Sequence, residues 1–161
     1  MTPSQFSDFV GPDRVKTRLE LAIAEAKRRG ASLGHVLLIG SPAAGPATLA
    51  RLIASTLGVG LKFTRGPEIE NAGDLARLAT SLEKGDVLLI DEIHRLPATI
   101  EAYLCPALNE FKLYLPLDQG GYTRPFRLNL PVFTLIGAAP HQEQLSPILL
   151  SQFPIVESLA D

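Results

Sequence analysis

The sequence predicts an α/β fold, a mostly parallel sheet flanked by helices, and three features predict it. Short unbroken apolar runs recur at VLLI (36–39), LKFT (61–64), DVLLI (86–90) and VFTLIGAA (132–139). Segments with helical spacing alternate with them. The first run passes through a glycine-bracketed turn straight into a helical pattern, LIGSPAAGPATLARLIASTLG (38–58). Apolar runs without polar interruption belong to strands covered on both faces, as in a parallel sheet with helices on each side.

The elements follow in order. In GPDRVKTRLELAIAEAKRRG (11–30), Val15, Leu19, Ile23 and Ala26 stand at helical spacing, Pro12 lies near the start and Gly30 just past a basic last turn. That combination predicts an amphipathic helix. The VLLI strand comes next, then a helix over 46–57, the LKFT strand, a helix over 74–82 and the DVLLI strand ending at Asp91. A helix over 98–111 is expected to be interrupted at Pro106, which lacks an N–H and crowds the preceding turn. Residues 112–130 hold two extended stretches around Gly120 and Gly121, the pattern of a β-hairpin inserted before the last strand.

At 161 residues with 46% hydrophobic content, the chain suits one domain over 1–161 with a core of its own. A formal charge of −2 supplies no broad basic field for nucleic acid, so direct nucleic-acid binding is not expected. The lone Cys105 excludes an internal disulfide. His35, His94 and His141 are scattered, so no metal site is expected. No N-terminal run joins a basic segment to a long apolar core, which places the chain in the cytoplasm without a membrane contact.

The turn after the first strand carries the chemistry. A phosphate-binding loop needs Gly, four residues, Gly, Lys and then Ser or Thr. Gly40, Ser41, Pro42 and Gly45 keep that frame, but Pro46 stands in the lysine position and Ala47 in the hydroxyl position. Proline removes both an ammonium and a backbone donor, and alanine removes a metal ligand. Hydrogen bonds to charged groups contribute about 1.5–3 kcal/mol each, so the loss weakens nucleotide binding by about two or more orders of magnitude. Proline is nonetheless well suited to the first turn of a helix. Two readings stay open for this loop: a strand-to-helix turn without ligand, or residual anion binding at the remaining amides.

Taken together, GHVLLIGSP (34–42), GPEIENAGDLARLATSLEKGDVLLIDEIHRLP (66–97), FKLYL (111–115), RLNLPVFTLIGA (127–138) and FPIVESL (153–159) resemble the large ATPase domain of the RuvB family. These are AAA+ ring motors of bacterial Holliday-junction branch migration, and the resemblance runs over about 6–158. It implies an AAA+ P-loop NTPase-like core with the nucleotide at the first strand-to-helix turn. The family's helical lid and winged-helix domain are expected to be absent from this chain, which stops at Asp161.

By the same resemblance, Asp91 and Glu92 of VLLIDEIH form a Walker B pair, Asp91 holding Mg²⁺ through water and Glu92 polarising the attacking water. The alternative is that both persist as loop hydrogen-bonding groups. Phe9 and Val10 match the segment that packs on adenine, or are ordinary core. Where the family strand TLVGATT ends in a phosphate-sensing Thr, this chain reads TLIGAAPH, with Ala139, Pro140 and His141. Where SPLRDRF carries the arginine finger, Leu150 and Gln152 replace the arginines. Such a finger is worth on the order of a thousand-fold in hydrolysis rate. Leu115, Leu117 and Tyr122 match the hairpin that docks the partner RuvA, or form a covered edge of the domain.

The expected function is therefore a catalytically degenerate RuvB-like AAA+ domain, a pseudo-ATPase serving as scaffold or interaction module linked to DNA recombination. Its expected partner is a RuvA-like protein or an AAA+ subunit. No cofactor is expected, with ATP or ADP and Mg²⁺ entering only if residual binding survives. The alternative is an ATP-dependent branch-migration motor subunit or fragment with weak nucleotide binding, for which Arg14, Lys16 and Arg51 are the candidate substitute cations.

Overall fold

A computed structural model of the chain describes residue 6, residues 9–119 and residues 122–159, giving the backbone alone for 117–119 and 122–125. The elements are α1 (Asp13–Arg29), β1 (Val36–Ile39), α2 (Pro46–Leu57), β2 (Leu61–Arg65), α3 (Ala72–Thr80), β3 (Val87–Asp91) and α4 (Ala98–Glu110). They continue with β4 (Lys112–Gln119), β5 (Tyr122–Asn129), β6 (Thr134–Ala139), α5 (Pro147–Leu150) and β7 (Ile155–Ser158). Among the described residues no helix is long and apolar enough to cross a membrane.

Five strands form one parallel sheet in the order β2-β3-β6-β1-β7, and β4 pairs with β5 as a separate antiparallel hairpin. The period of two in each strand divides its apolar side chains between two cores. Val36, Leu38, Val87, Leu89, Ile136 and Ala138 face α1 and α2, packing with Leu19, Ile23, Leu49 and Ile53. Leu37, Leu88, Ile90, Leu135 and Ala139 face the other way, towards Leu75 of α3 and Ile100 and Leu104 of α4. Strands β1, β3 and β6 are thus buried on both sides, as their unbroken apolar runs predict. Strand β2, at the edge, is half-exposed, and Phe63 faces solvent.

Helix α1 shows local logic well. Its buried stripe is Val15, Leu19, Ile23 and Ala26, and its last turn carries Lys27, Arg28 and Arg29 beside the negative end of the macrodipole. Gly30 then takes φ +64 and caps the carbonyls of Ala26 and Lys27.

The structure departs from the sequence expectation at two places. Helix α4 runs through Pro106 without interruption. Only the bond to the carbonyl of Ala102 is forgone there. Ala102 is exposed, so water can take the freed acceptor, while Leu104, Cys105, Ala107 and Leu108 bury the opposite flank. Strand β7 is one the apolar periodicity does not announce, because Ile155, Val156, Glu157 and Ser158 mix residue types at a sheet edge. On the hairpin, Leu115 is buried. Leu113 and Leu115 alternate inward on β4 against α4, leaving Tyr114 and Phe126 exposed. The side chains of Leu117 and Tyr122 lie outside the described residues.

His35, buried just before β1, ties three elements together. Its Nε2 bonds to the carbonyl of Leu108 at 2.9 Å, and its Nδ1 accepts the Leu135 N–H at 2.9 Å. Both contacts together require the neutral Nε2–H tautomer. The ring packs against Phe111 and Phe133, whose own rings meet edge to face at 5.6 Å.

Burial depresses the proton affinity of this imidazole below its ordinary value of 6.5, more than its bond to Leu108 raises it. Below that pH the unfolded chain binds the proton and the folded chain resists it, so stability falls with falling pH. Denaturant unfolding between about pH 7.5 and about pH 5.5 is expected to show this decline. The slope should flatten in His35→Gln, whose amide can donate and accept at the same places without titrating.

Candidate functional site

Strands β1, β3 and β6 point their carboxyl ends to one side of the domain, and the loops that follow them converge there. In open parallel sheets this is where ligands bind. After β1, Gly40 donates its N–H to the carbonyl of Ala139 at 3.0 Å, which binds the loop to the end of β6. Residues Pro42–Ala44 form a single 3-10 turn led by Ser41. Gly45 then takes φ +85, a conformation that glycine adopts without steric cost, and α2 begins at Pro46.

Two of the loop's donors are used within it. Ala44 N–H bonds to Ser41 at 2.9 Å and Gly45 N–H to Pro42 at 3.3 Å. Pro46 has no N–H, and its ring is buried at the first turn of α2. Ala47 supplies no hydroxyl. Phe9 is buried in the core beneath α1 and α2, and a Cβ at Gly45 would lie 3.2 Å from its Cε2. Val10, its neighbour, is 93% exposed. Of the two residues, Phe9 thus lies in the core against the loop's Gly45, whereas Val10 is open to solvent. The donor set fits Mg²⁺-bound triphosphate poorly, since it offers neither an ammonium nor a metal-binding hydroxyl at the two positions that define the motif.

The acidic pair sits at the end of β3. Glu92 N–H bonds to Asp91 Oδ1 at 2.9 Å. Glu92 itself lies in the left-handed region, φ 51 and ψ 45, a conformation rare for residues other than glycine. Both oxygens of its carboxylate are engaged by guanidinium groups. Arg65 at the end of β2 bonds to Oε2 through Nε at 2.7 Å and also through Nη2, and Arg95 Nη1 bonds to Oε1 at 2.8 Å. Hydrogen bonds from Arg95 and then Arg65 hold the Glu92 carboxyl below the usual carboxylate range. The same pairing pushes the Arg65 guanidinium up. Such a carboxylate is ionised but weakened as a proton acceptor.

At the end of β6 Ala139 is buried, and His141 then leads the turn Gln142–Gln144, its ring accepting the Gln144 backbone N–H while the His141 backbone N–H donates to Gln144 Oε1 at 3.1 Å. On α5, Ser146 caps the helix by accepting the Leu149 N–H at 3.1 Å. Gln152 folds back to donate to the carbonyl of Ile148 at 3.2 Å.

The candidate substitute cations do not gather at the loop. Lys16 Nζ bonds to the Phe9 carbonyl at 2.9 Å and lies 3.3 Å from Asp13. Arg51 is exposed on α2. Arg14 reaches the Ser158 carbonyl at 3.3 Å, in a cleft of about 420 Å³ that Arg18, His141, Glu143 and Glu157 also line. Arg18 there pairs with buried Glu157 at 3.0 Å, so the cleft's formal charges balance. Among the described residues, no group of three or more His, Cys, Asp or Glu side chains is placed to hold a metal ion. Arg65 and Arg95 are the site residues that sequence reasoning missed, because they belong to no motif.

Comparison with known proteins agrees with this architecture. Residues 1–159 match the family described as the Holliday junction DNA helicase RuvB P-loop domain. The structure of the RuvB Holliday junction branch migration motor of Thermotoga maritima is similar at 41% identity and a TM-score of 0.85, covering 98% of this chain and 48% of that one. A point mutant of the same RuvB superposes at 41% identity and a TM-score of 0.88, covering 99% of this chain and 50% of that one. The chain thus spans about half the length of the solved relatives it matches.

The closeness of β2 and β3 at the site is itself testable. A Cβ at Gly66 would lie 2.3 Å from the Glu92 carbonyl oxygen, a backbone atom that cannot swing aside. Gly66→Ala is expected to lower stability by about 1–3 kcal/mol in denaturant unfolding, the usual cost of overpacking.

Proposed function

The chain belongs to the family of RuvB P-loop domains, and from that premise we propose that it is a catalytically degenerate member, a pseudo-ATPase serving as a scaffold or interaction module. The observation that carries this reading is the start of α2, where buried Pro46 and half-buried Ala47 occupy the positions for the ammonium and the hydroxyl. Support comes from the other loops at the same end of the sheet. Glu92 is held by two guanidinium groups, Ala139 supplies no sensing hydroxyl, and Leu150 and Gln152 supply no finger.

The partner fits the same reading. A RuvA-like protein or a complete AAA+ subunit is the kind expected, with Tyr114 and Phe126 the exposed apolar contacts on the β4-β5 hairpin. Recombination is the process this implies, and a cytoplasmic location accords with it.

A second reading is an ATP-dependent branch-migration motor subunit or fragment with weak nucleotide binding. Asp91 and Glu92 at the end of β3 and the left-handed Gly45 in a loop of the motif's length favour it. ATP or ADP with Mg²⁺ would then be the cofactor.

Calorimetry separates the two. The pseudo-ATPase reading expects no saturable heat from ATP or ADP, with or without Mg²⁺, up to about 100 μM ligand. Saturable binding below that level, or magnesium-dependent turnover above that of a Glu92→Gln control, would overturn it.

A further inference from the structure

Strand β2 is held weakly by its sequence. It lies at the sheet edge with half-exposed side chains, pairs with β3 alone, and leaves Phe63 facing solvent. Its carboxyl end is nevertheless fixed, and the fixing converges on one residue. Arg65 is the register partner of Asp91 and reaches across to the carboxylate of Glu92. Gly66, next in the chain, lies so close to the Glu92 carbonyl that no side chain fits between them. On the other flank, Arg95 Nη1 takes the second carboxylate oxygen, while the Arg95 N–H bonds to the Glu92 carbonyl at 2.9 Å.

This geometry has a cost. A non-glycine residue in the left-handed region is strained and persists only where its surroundings enforce it. The surroundings here are the two guanidinium groups, which fill both carboxylate oxygens and leave the side chain 26% exposed. Two N–H groups of Arg65 on Oε2 and a second arginine on Oε1 fix the carboxylate in position more firmly than a single surface pair does.

We propose that Arg65 and Arg95 make Glu92 a structural joint, which locks the carboxyl end of β2 to the turn after β3 and holds the backbone of Glu92 at positive φ. The joint assigns to Arg65 a role that no nucleotide-site motif contains. It deepens the pseudo-ATPase reading, resting on that reading only for the statement that Glu92 has no hydrolytic duty. The joint itself is a property of the folded chain without nucleotide.

A mutant cycle in urea unfolding, run without nucleotide, tests it. Arg65→Ala is expected to lower the midpoint in the parent chain and to leave it unchanged in a Glu92→Gly background, since the carboxylate it held is already gone. Glu92→Gln should unfold below Glu92→Gly, because glutamine loses the charge yet keeps a side chain at positive φ, whereas glycine sheds the strain. An equal drop from Arg65→Ala in both backgrounds, or Glu92→Gln at or above the parent, would overturn the joint.

A measurement on the parent chain covers the case in which a variant fails to fold. The Arg65 Nε–H NMR signal, identified by its disappearance in Arg65→Lys, should exchange with solvent more slowly than that of Arg77. Equal exchange would also overturn the proposal. Neither outcome depends on nucleotide, so turnover that Glu92→Gln abolishes would reject the inert-site reading while leaving the joint to be decided by unfolding.

Discussion

Burial of β1, β3 and β6 on both faces is the constraint from which the rest of the structure follows. Each of these strands carries an apolar side chain at nearly every position, alternately into one core and the other. Parallel pairing then forces their carboxyl ends to one side and obliges each chain segment to cross over by helix before returning. The loops at that end are thus placed by the cores rather than by anything they bind. A residue there can change without loss of fold, provided that it suits the backbone. Pro46 meets that condition, because the first residue of a helix has no helical bond to donate and proline already holds the required φ.

What distinguishes the loops at this end is where their polar groups turn. A site built for phosphate presents N–H groups outward and leaves them for the ligand. Here Ala44 and Gly45 spend theirs on Ser41 and Pro42. The Glu92 carboxylate is spent on Arg65 and Arg95, and His141 on its own turn. Each of these bonds gives a polar group a partner within the chain itself. The inward bonding and the missing ammonium and hydroxyl are one pattern seen from two sides.

The legibility of these features in the sequence tracks their physical origin. Three strands and α1 could be read directly, since burial writes itself into apolar period and run length. The positions of Pro46 and Ala47 were legible too, because the loop's glycines fix the count. Pro106 misled, since its local preference against helix is outweighed by a four-residue apolar flank that only packing reveals. Strand β7 stayed hidden because an edge strand needs no apolar run, and Leu115 stayed open between two readings because a hairpin's inward face depends on which side α4 covers. Arg65 could not be found at all. It meets Glu92 across 27 residues of chain through strand register, and no spacing encodes that contact.

Arg65 also bears on how a site of this kind can be altered. The two groups that define nucleotide grip, at Pro46 and Ala47, lie on α2, whereas the clamp on Glu92 joins β2 to β3 on the other side of β6. The two alterations share no side chain and are separated by β6, so restoring one leaves the other in place. A lysine returned to the loop would still face a carboxylate whose oxygens are both occupied. An Arg65 removed would free that carboxylate beside a loop with no ammonium. The features that set this end of the sheet apart from the loop motif are therefore distributed over separate elements of the sheet, each compatible with the same two cores.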